Sequence, residues 1–391
     1  MRIVILGGAG IIGRVIALDL VQDTEEVVVA DRDQKGAQQV AKDVGGGAVA
    51  LPVDVTTAKS LEQVLEGADA CINSVNYYFN LEVMQACLKA HVPYLDLGGL
   101  FHVTRKQMEL HQAFEQAGVT AVLGLGSCPG VANVQTGWLG GMLDTVGYVH
   151  IYNGSTQEET GSLAAPYAIQ TILDEIDKPA MVFREGKFVE CAPLSEEQFF
   201  LFREPIGWRK THLSLHSEVA TIPLSLADKG IQECFFKITF FGYAEPALRK
   251  LEFLAQLGLA STEPVEVDGA QVRPRDVLLT LLKQLPETEE KPVSKGYKEV
   301  ITEVKGTEDG EEILLQASTF GGPHPTWGIS GGAVLVAAPP AIVARWLAGG
   351  QLDRPGVWPP EQVIEPEPFF AALAERGFST QLTRTATVAA P

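Results

Sequence analysis

The sequence is poor in cysteine, in basic residues and in long uninterrupted apolar runs, and each shortage removes a class of protein. Its five cysteines (Cys71, Cys87, Cys128, Cys191 and Cys234) are odd in number, scattered, and never at C-x-x-C spacing. That argues against a disulfide framework and fits reduced thiols in a cytoplasmic protein. Lysine and arginine total 30 against 49 acids, a net charge of −19. Nucleic acid and anionic membranes both require clustered cations, so neither is an expected partner. The charge leaves the substrate open, because a small pocket can be basic inside an acidic protein. The most apolar stretch, GGAVLVAAPPAIVARWLAGG, is interrupted by Pro339-Pro340 and carries Arg345. It predicts a kinked, buried helix pair in place of a membrane span. The N-terminus enters a strand at once, without the pattern of a cleavable signal. His91 and the Glu158-Glu159 pair offer no metal-ligand spacing, and no metal is expected.

What is present is concentrated in the first 31 residues, MRIVILGGAGIIGRVIALDLVQDTEEVVVAD. Ile3 to Leu6 reads as a buried parallel strand, rich in β-branched residues. It breaks at a glycine turn, and apolar residues then recur at helical spacing through Val15, Ile16, Leu18, Leu20 and Val21. A second buried run, Val27 to Ala30, ends on Asp31. Strand, turn, helix, strand and acid stand in the order and spacing of a dinucleotide-binding unit. Gly8 is expected to make the tight turn, Gly10 to admit the pyrophosphate, and Gly13 to let helix and strand approach. Free N–H groups at the helix start, around Ala9, Ile11 and Ile12, then face the phosphates. Asp31 is placed to accept hydrogen bonds from ribose hydroxyls and to repel an additional phosphate, which favours NAD. Arg32 is the counter-signal and keeps NADP possible.

At 391 residues, with 46% hydrophobic and 20% charged residues, the chain has enough material for two globular domains. Strands and helices alternate to Leu123, giving about six strands and right-handed βαβ units. Within this stretch Val103 to Gln116 reads as a single amphipathic helix. The expected fold class is α/β: a Rossmann-type, doubly wound parallel sheet over residues 1–128, with an inserted α+β substrate and dimerisation domain over 129–328. Residues 329–391 are expected to return as helices to the first domain. Met181 to Glu190 reads as a hairpin around Glu-Gly-Lys, and Phe235 to Tyr243, Tyr297 to Val304 and Glu312 to Ser318 read as strands. Pro286 to Pro292 reads as a solvated loop.

Ligands of an open parallel sheet bind beyond the carboxyl ends of its strands. The loops there place Asp54 and Val55 near the adenine. Ser74, Val75 and Asn76 come near the nicotinamide-side ribose, and Asp96 and Leu97 beside Gly98-Gly99. The cofactor set is therefore Gly8, Ala9, Gly10, Ile11, Ile12, Gly13, Asp31, Arg32, Asp54, Val55, Ser74, Val75, Asn76, Asp96 and Leu97.

Several stretches together resemble the saccharopine dehydrogenase-like oxidoreductases, and within them the lysine 6-dehydrogenases. They are GGAGIIGR, VVVADRD, NYYFNLEVMQACLKAHVPYLDLGG, the GLGSCPG turn, VEVDGAQVRPRDVLL and GVWPPEQV. The resemblance covers most of the chain and departs at Cys128, where family members often carry an acid. It also departs over Thr211 to Thr221, which is closer to the wider family than to the lysine enzymes. It implies hydride transfer between a nicotinamide and a carbon bearing nitrogen, with the side-chain amine of lysine as the first substrate. Saccharopine, carboxynorspermidine or a related carboxylated polyamine is the alternative, and a non-catalytic nucleotide sensor is the reading from another class.

An amine with a solution pKa of about 10.4 must be neutral before hydride leaves. A base must take its proton, and an arginine or lysine must hold any carboxylate. His216 is the first candidate base, with Asp96 and Tyr77 as further proton-handling residues. Tyr77, Cys128, Tyr167, Arg209 and His216 are the candidate substrate contacts, with Lys210 and Arg184 as weaker carboxylate anchors. His102, His111 and Trp138 read as structural. A homodimer is expected from base rates alone.

Overall fold

The computed structural model describes residues 1–156, 169–239, 245–284 and 296–386. The N-terminal apolar runs form parallel strands β1 (Arg2–Leu6), β2 (Glu26–Asp31), β3 (Val49–Pro52), β4 (Ala70–Asn73), β5 (Tyr94–Asp96) and β6 (Thr120–Val122). Helices α1 (Ile11–Leu20), α2 (Gln34–Val44), α3 (Ala58–Leu65), α4 (Asn80–Ala90), α5 (Leu100–Met108) and α6 (His111–Ala117) connect them. Alternate residues of one strand enter opposite cores. Ile3, Ile5, Val27 and Val29 pack with α1 and α2, whereas Val4, Leu6, Val28 and Ala30 pack with Leu61, Met84 and Phe114. A parallel sheet buried on both faces explains why these strands read as unbroken apolar runs.

The helix expected over Val103 to Gln116 is two helices. The turn at Glu109-Leu110 swings α6 so that His111 Nδ1 lies 2.9 Å from the Val357 carbonyl oxygen.

The chain then enters α7 (Val131–Gly141) and β7 (Thr145–Ser155), followed by α8 (Ile169–Asp177) and the hairpin β8 (Ala180–Arg184) and β9 (Lys187–Cys191). Glu185 and Gly186 both have positive φ, 50° and 75°, the backbone of a two-residue hairpin turn. Next come β10 (Gln198–Leu201), β11 (Trp208–Leu213), α9 (Glu218–Ser225) and β12 (Glu233–Ile238). The strand expected to reach Tyr243 stops at Ile238, and its last positions lie outside the described residues. Helix α10 (Glu245–Gln256), a small hairpin of β13 (Val265–Val267) and β14 (Ala270–Val272), and α11 (Pro274–Lys283) precede the long pair β15 (Lys298–Glu308) and β16 (Glu311–Gly321). A mixed second sheet runs β10-β11-β12-β7-β15-β16, with only β12 and β7 parallel. The loop expected from Pro286 to Pro292 lies outside the described residues.

The C-terminal segment divides between the two sheets. Helix α12 (Gly331–Ala348) runs through Pro339 and Pro340 as one element, so the expected helix pair is a single helix. Among the described residues it is the one helix long and apolar enough to cross a membrane, by length and composition, and 67% of that window is buried in the protein. It packs on α1, where Asp19 binds Arg345 at 2.9 Å. Strand β17 (Gly356–Trp358) then pairs with β6 and completes a seven-stranded sheet in the order β17-β6-β5-β4-β1-β2-β3. After α13 (Pro360–Val363) and α14 (Pro366–Glu375), Arg376 adds a second bidentate grip on Asp19. Strand β18 (Phe378–Ala386) departs from expectation: it pairs with β16 in the second sheet, so residues 329–391 do not all return to the first.

Candidate active site

The glycine loop between β1 and α1 has the shape a dinucleotide requires, with one reassignment. The left-handed residue of the turn is Gly7, φ 76°, and not Gly8. Gly8 instead lets the turn lie against β2, since a Cβ there would stand 2.7 Å from Val29 Cγ1. At Gly13 a Cβ would meet the Gly7 carbonyl oxygen at 2.3 Å. Gly10, the N-cap of α1, has no side-chain cap, so the helix start is left for another acceptor. Ile11 beside it is 52% exposed, an apolar side chain at the rim of the cleft. These residues fit a dinucleotide: Gly8, Ala9, Gly10, Ile11, Ile12 and Gly13 form a turn and helix start that could hold its phosphates.

The neighbouring loops face the same edge of the sheet. Asp31 accepts from Ala9 N at 3.1 Å and Asp33 N at 2.9 Å, fixing its carboxylate against the glycine loop, while Arg32 is exposed. Asp54 accepts from Thr56, which lowers its pKa, and Val55 follows half-buried. Ser74 donates its backbone N–H to Leu6 O, and its hydroxyl lies 3.3 Å from Gly7 O. Val75 and Leu97 are half-buried along this rim. Asn76 caps the next turn through its oxygen, yet its buried Nδ2 has no partner and is an unused donor.

Asp96, expected to handle a proton, is a structural hub. Its Oδ1 accepts from Gly98 N and Gly124 N, and its Oδ2 from Tyr94 Oη, Asn80 Nδ2 and Gln107 Nε2 at 2.6–3.2 Å. Burial raises its pKa, and the hydrogen bonds from Gln107, Gly124, Tyr94 and Gly98 oppose that rise. It is 1% exposed and occupied by partners of its own domain, so it ties the ends of β5 and β6 together and does not reach for substrate.

Tyr77 is likewise engaged elsewhere. Its hydroxyl donates to Asp174 Oδ2 at 2.7 Å, and Tyr78 donates to the same oxygen. Arg275 Nη1 and Lys178 Nζ reach Asp174 Oδ1 at 2.7 and 3.0 Å. Burial and Asp174 raise both phenols, that of Tyr78 to about 12, and both hydroxyls are spent on Asp174. Burial raises the Asp174 pKa, but the two tyrosines and Arg275 outweigh it and hold the carboxylate ionised. The expected relay is a latch from the first domain to α8 and α11.

His216 lies in a buried cluster beside the contact between the two domains. Ser217 Oγ accepts from Gly99 N at 3.2 Å and meets Thr104 Oγ1 at 3.2 Å, pinning the turn before α9 to the carboxyl edge of the first sheet. The imidazole stacks on Phe236, ring centroids 3.8 Å apart. Its Nδ1 is 2.7 Å from Glu218 Oε2, and its Nε2 is 3.8 Å from Glu175 Oε2, which also accepts from Ser214 Oγ at 3.0 Å. Burial lowers the His216 pKa, but Glu218 and Glu175 outweigh it, so the value is raised and the charged imidazolium is favoured. The other carboxylate oxygen of Glu218 is buried without a hydrogen-bond partner. Cys128 adjoins Glu218; burial first, then that carboxylate, raises its thiol well above the usual range, so it is a neutral wall residue. Lys298, the first residue of β15, completes the group, its ammonium destabilised by burial and partly restored by Cys128 and Glu175.

The remaining expectations separate. Arg209 on β11 donates to its neighbour Trp208 O, and its buried Nε has no partner. Lys210 pairs with Glu197 and Glu245, and Arg184 with Glu196. Tyr167 lies outside the described residues, as does Glu158-Glu159. His102 is exposed, and Trp138 packs on Phe370. Among the described residues no group of three or more metal-ligating side chains converges. Sequence reasoning missed Glu175, Glu218 and Lys298. One signal was available: Ile172-Leu173-Asp174-Glu175-Ile176 places two acids within an apolar run.

Residues 3–122 match the family model described as the saccharopine dehydrogenase NADP binding domain, and residues 156–378 that of the saccharopine dehydrogenase C-terminal domain. A carboxyaminopropylagmatine dehydrogenase from Synechocystis is 25% identical, with 96% of each chain covered. A carboxynorspermidine synthase from Vibrio cholerae is 24% identical over 95% of this chain and 94% of its own. Apo saccharopine dehydrogenase (L-Glu forming) from Saccharomyces cerevisiae has the same fold, with a TM-score of 0.70, 17% identity, and 98% and 99% coverage. The chain belongs to the saccharopine dehydrogenase family, and it is an NAD(P)-dependent oxidoreductase acting on carbon–nitrogen bonds.

Proposed function

We propose that the protein interconverts a carboxylated secondary amine of the carboxypolyamine type with its imine, using NAD as the preferred dinucleotide. The observation that carries this reading is the buried His216–Glu218–Glu175 group at the carboxyl edge of the nucleotide-binding sheet. Two carboxylates around one imidazolium suit a chain with several cationic nitrogens. The relatives matched along nearly their whole length support it, because their names specify carboxylated polyamine chemistry. The primary amine of lysine is the weaker reading. Neither of those relatives is named for lysine as its substrate.

When bound, the nicotinamide supplies or accepts the hydride. The glycine loop and Asp31 hold the dinucleotide, and Asp31 disfavours a phosphate on the ribose. His216, protonated between its two carboxylates, gives its proton to the imine nitrogen as hydride adds to carbon, leaving a neutral secondary amine. In the reverse direction neutral His216 takes the N–H proton of the neutral secondary amine as hydride leaves carbon, which regenerates the imine and the imidazolium. Glu218 fixes the imidazole through Nδ1, and Phe236 fixes its plane, leaving Nε2 towards Glu175 and the cleft. Cys128 and the apolar rim limit water at the reacting carbon.

Steady-state assays with carboxynorspermidine, carboxyaminopropylagmatine, saccharopine and lysine test the reading with each dinucleotide. Turnover of a carboxypolyamine at least tenfold faster than lysine in kcat/KM is expected. NADH formed from lysine with no turnover of the secondary amines would overturn it.

A further inference from the structure

Adjacent acids on α8 serve two different sites. Asp174 points to the first domain and gathers Tyr77, Tyr78, Arg275 and Lys178; Glu175, the next residue, points to Ser214 and His216. Successive helical residues are about 100° apart around the axis, so one rigid turn can address both. Tyr77 and Tyr78 directly follow Ser74, Val75 and Asn76, the loop that touches Gly7 of the glycine turn. Arg275 is itself fixed, its Nε donating to Ala260 O at 2.5 Å. All side-chain oxygens of Asp174 are used, and the residue is fully buried. No step of the proposed proton transfer uses it, yet it takes two hydroxyls and two cations from three segments of chain, its own among them.

We infer that α8 is a crossbar between the cofactor loop and the proton-transfer pocket, with Asp174 a positioning residue that sets Glu175 against His216. A displacement of residues 74–79 is carried through the two tyrosines to Asp174, and by the same helical turn to Glu175. Dinucleotide binding and the charge state of His216 are therefore coupled, and by linkage the coupling works in both directions. The inference rests on the proposed role of His216, but two of its readouts need no substrate.

The test uses the full-length protein and the conservative pair Y77F and Y78F, which keep both rings and remove both hydroxyls from Asp174, with D174N as a second variant. NADH binding is followed by nicotinamide fluorescence and the His216 ring proton by NMR titration. Glu218, Glu175, Lys298 and Cys128 face that ring and set its baseline. In the tyrosine double variant the Kd for NADH should rise on the order of tenfold, within the usual range of coupling between sites. The His216 titration should shift from its wild-type midpoint, and kcat should fall at least tenfold with the amine KM changed less than threefold. NADH affinity and His216 titration both matching wild type in the folded double variant would overturn the inference. If D174N does not fold, the tyrosine pair decides. Absence of amine turnover in the wild type would instead refute the function, leaving binding and titration to report on the crossbar.

Discussion

Two buried carboxylates at the same edge of the molecule, Asp96 and Glu218, have opposite fates. Asp96 receives five donors from its own domain, whereas Glu218 holds His216 with one oxygen and leaves the other without a partner. A buried polar atom left unsatisfied is costly unless something uses it, and a fully satisfied one is usually architecture. The comparison distinguishes scaffold from site where residue type cannot, since each is an acid at an interdomain rim.

The strongest test of that contrast is H216A. It should lower kcat by about 10²–10⁴, the usual contribution of a positioned acid–base group, with a smaller change in NADH affinity. Stopped-flow turnover and fluorescence titration measure the two separately. A variant with wild-type turnover would remove His216 from proton transfer. The complementary change, D96N, places an amide donor among five donors and should cost about 1–3 kcal/mol, seen as a lowered thermal midpoint. Turnover per folded molecule should hold within about threefold, below the loss expected for an acid–base group. A collapse of kcat without loss of stability would break the comparison.

A third experiment addresses charge. Because the folded pKa of His216 is raised, its stabilising contribution is fully present below the free imidazole value and is lost as pH rises through the folded value. The stability gap between wild type and E218Q should therefore be largest near pH 6, on the order of 1 kcal/mol, and shrink towards pH 9. A gap that widens with pH would mean that the imidazole is neutral in the fold. A fourth experiment, D31A, addresses the cofactor. It should improve NADP relative to NAD by about tenfold in the ratio of Kd values, or about 1.4 kcal/mol. Affinity for both should weaken, because Ala9 N–H loses its acceptor. An unchanged ratio would show that another residue reads the ribose.

The contrast also explains which parts were legible. Strand, glycine turn and helix are short-range patterns, and β1 to β6 lie within about two residues of the runs read for them, as does the Glu185-Gly186 hairpin turn in the second domain. The sequence marked His216 by its chemistry, but its partners arrive from α8, α9, β15 and the loop after β6, which no local period brings together. Asp96 was misread for the same reason: Asn80, Gln107 and Gly124 become its neighbours only after folding. The break between α5 and α6 depends on the His111–Val357 contact, made with residues far along the chain. Strand β18 is mostly polar and exposed, and only its pairing with β16 identifies it as sheet.

The path of the C-terminal segment has a consequence for how the molecule is made. The nucleotide-binding sheet gains its seventh strand, β17, only after both long strands β15 and β16 have been synthesised, and the second sheet waits for β18. Neither sheet can reach its final edge while its own domain is the only one off the ribosome. A chain emerging from its N-terminus therefore carries a provisional nucleotide fold with β6 as an open border, and that exposed edge is an invitation to wrong pairing until the last segments arrive.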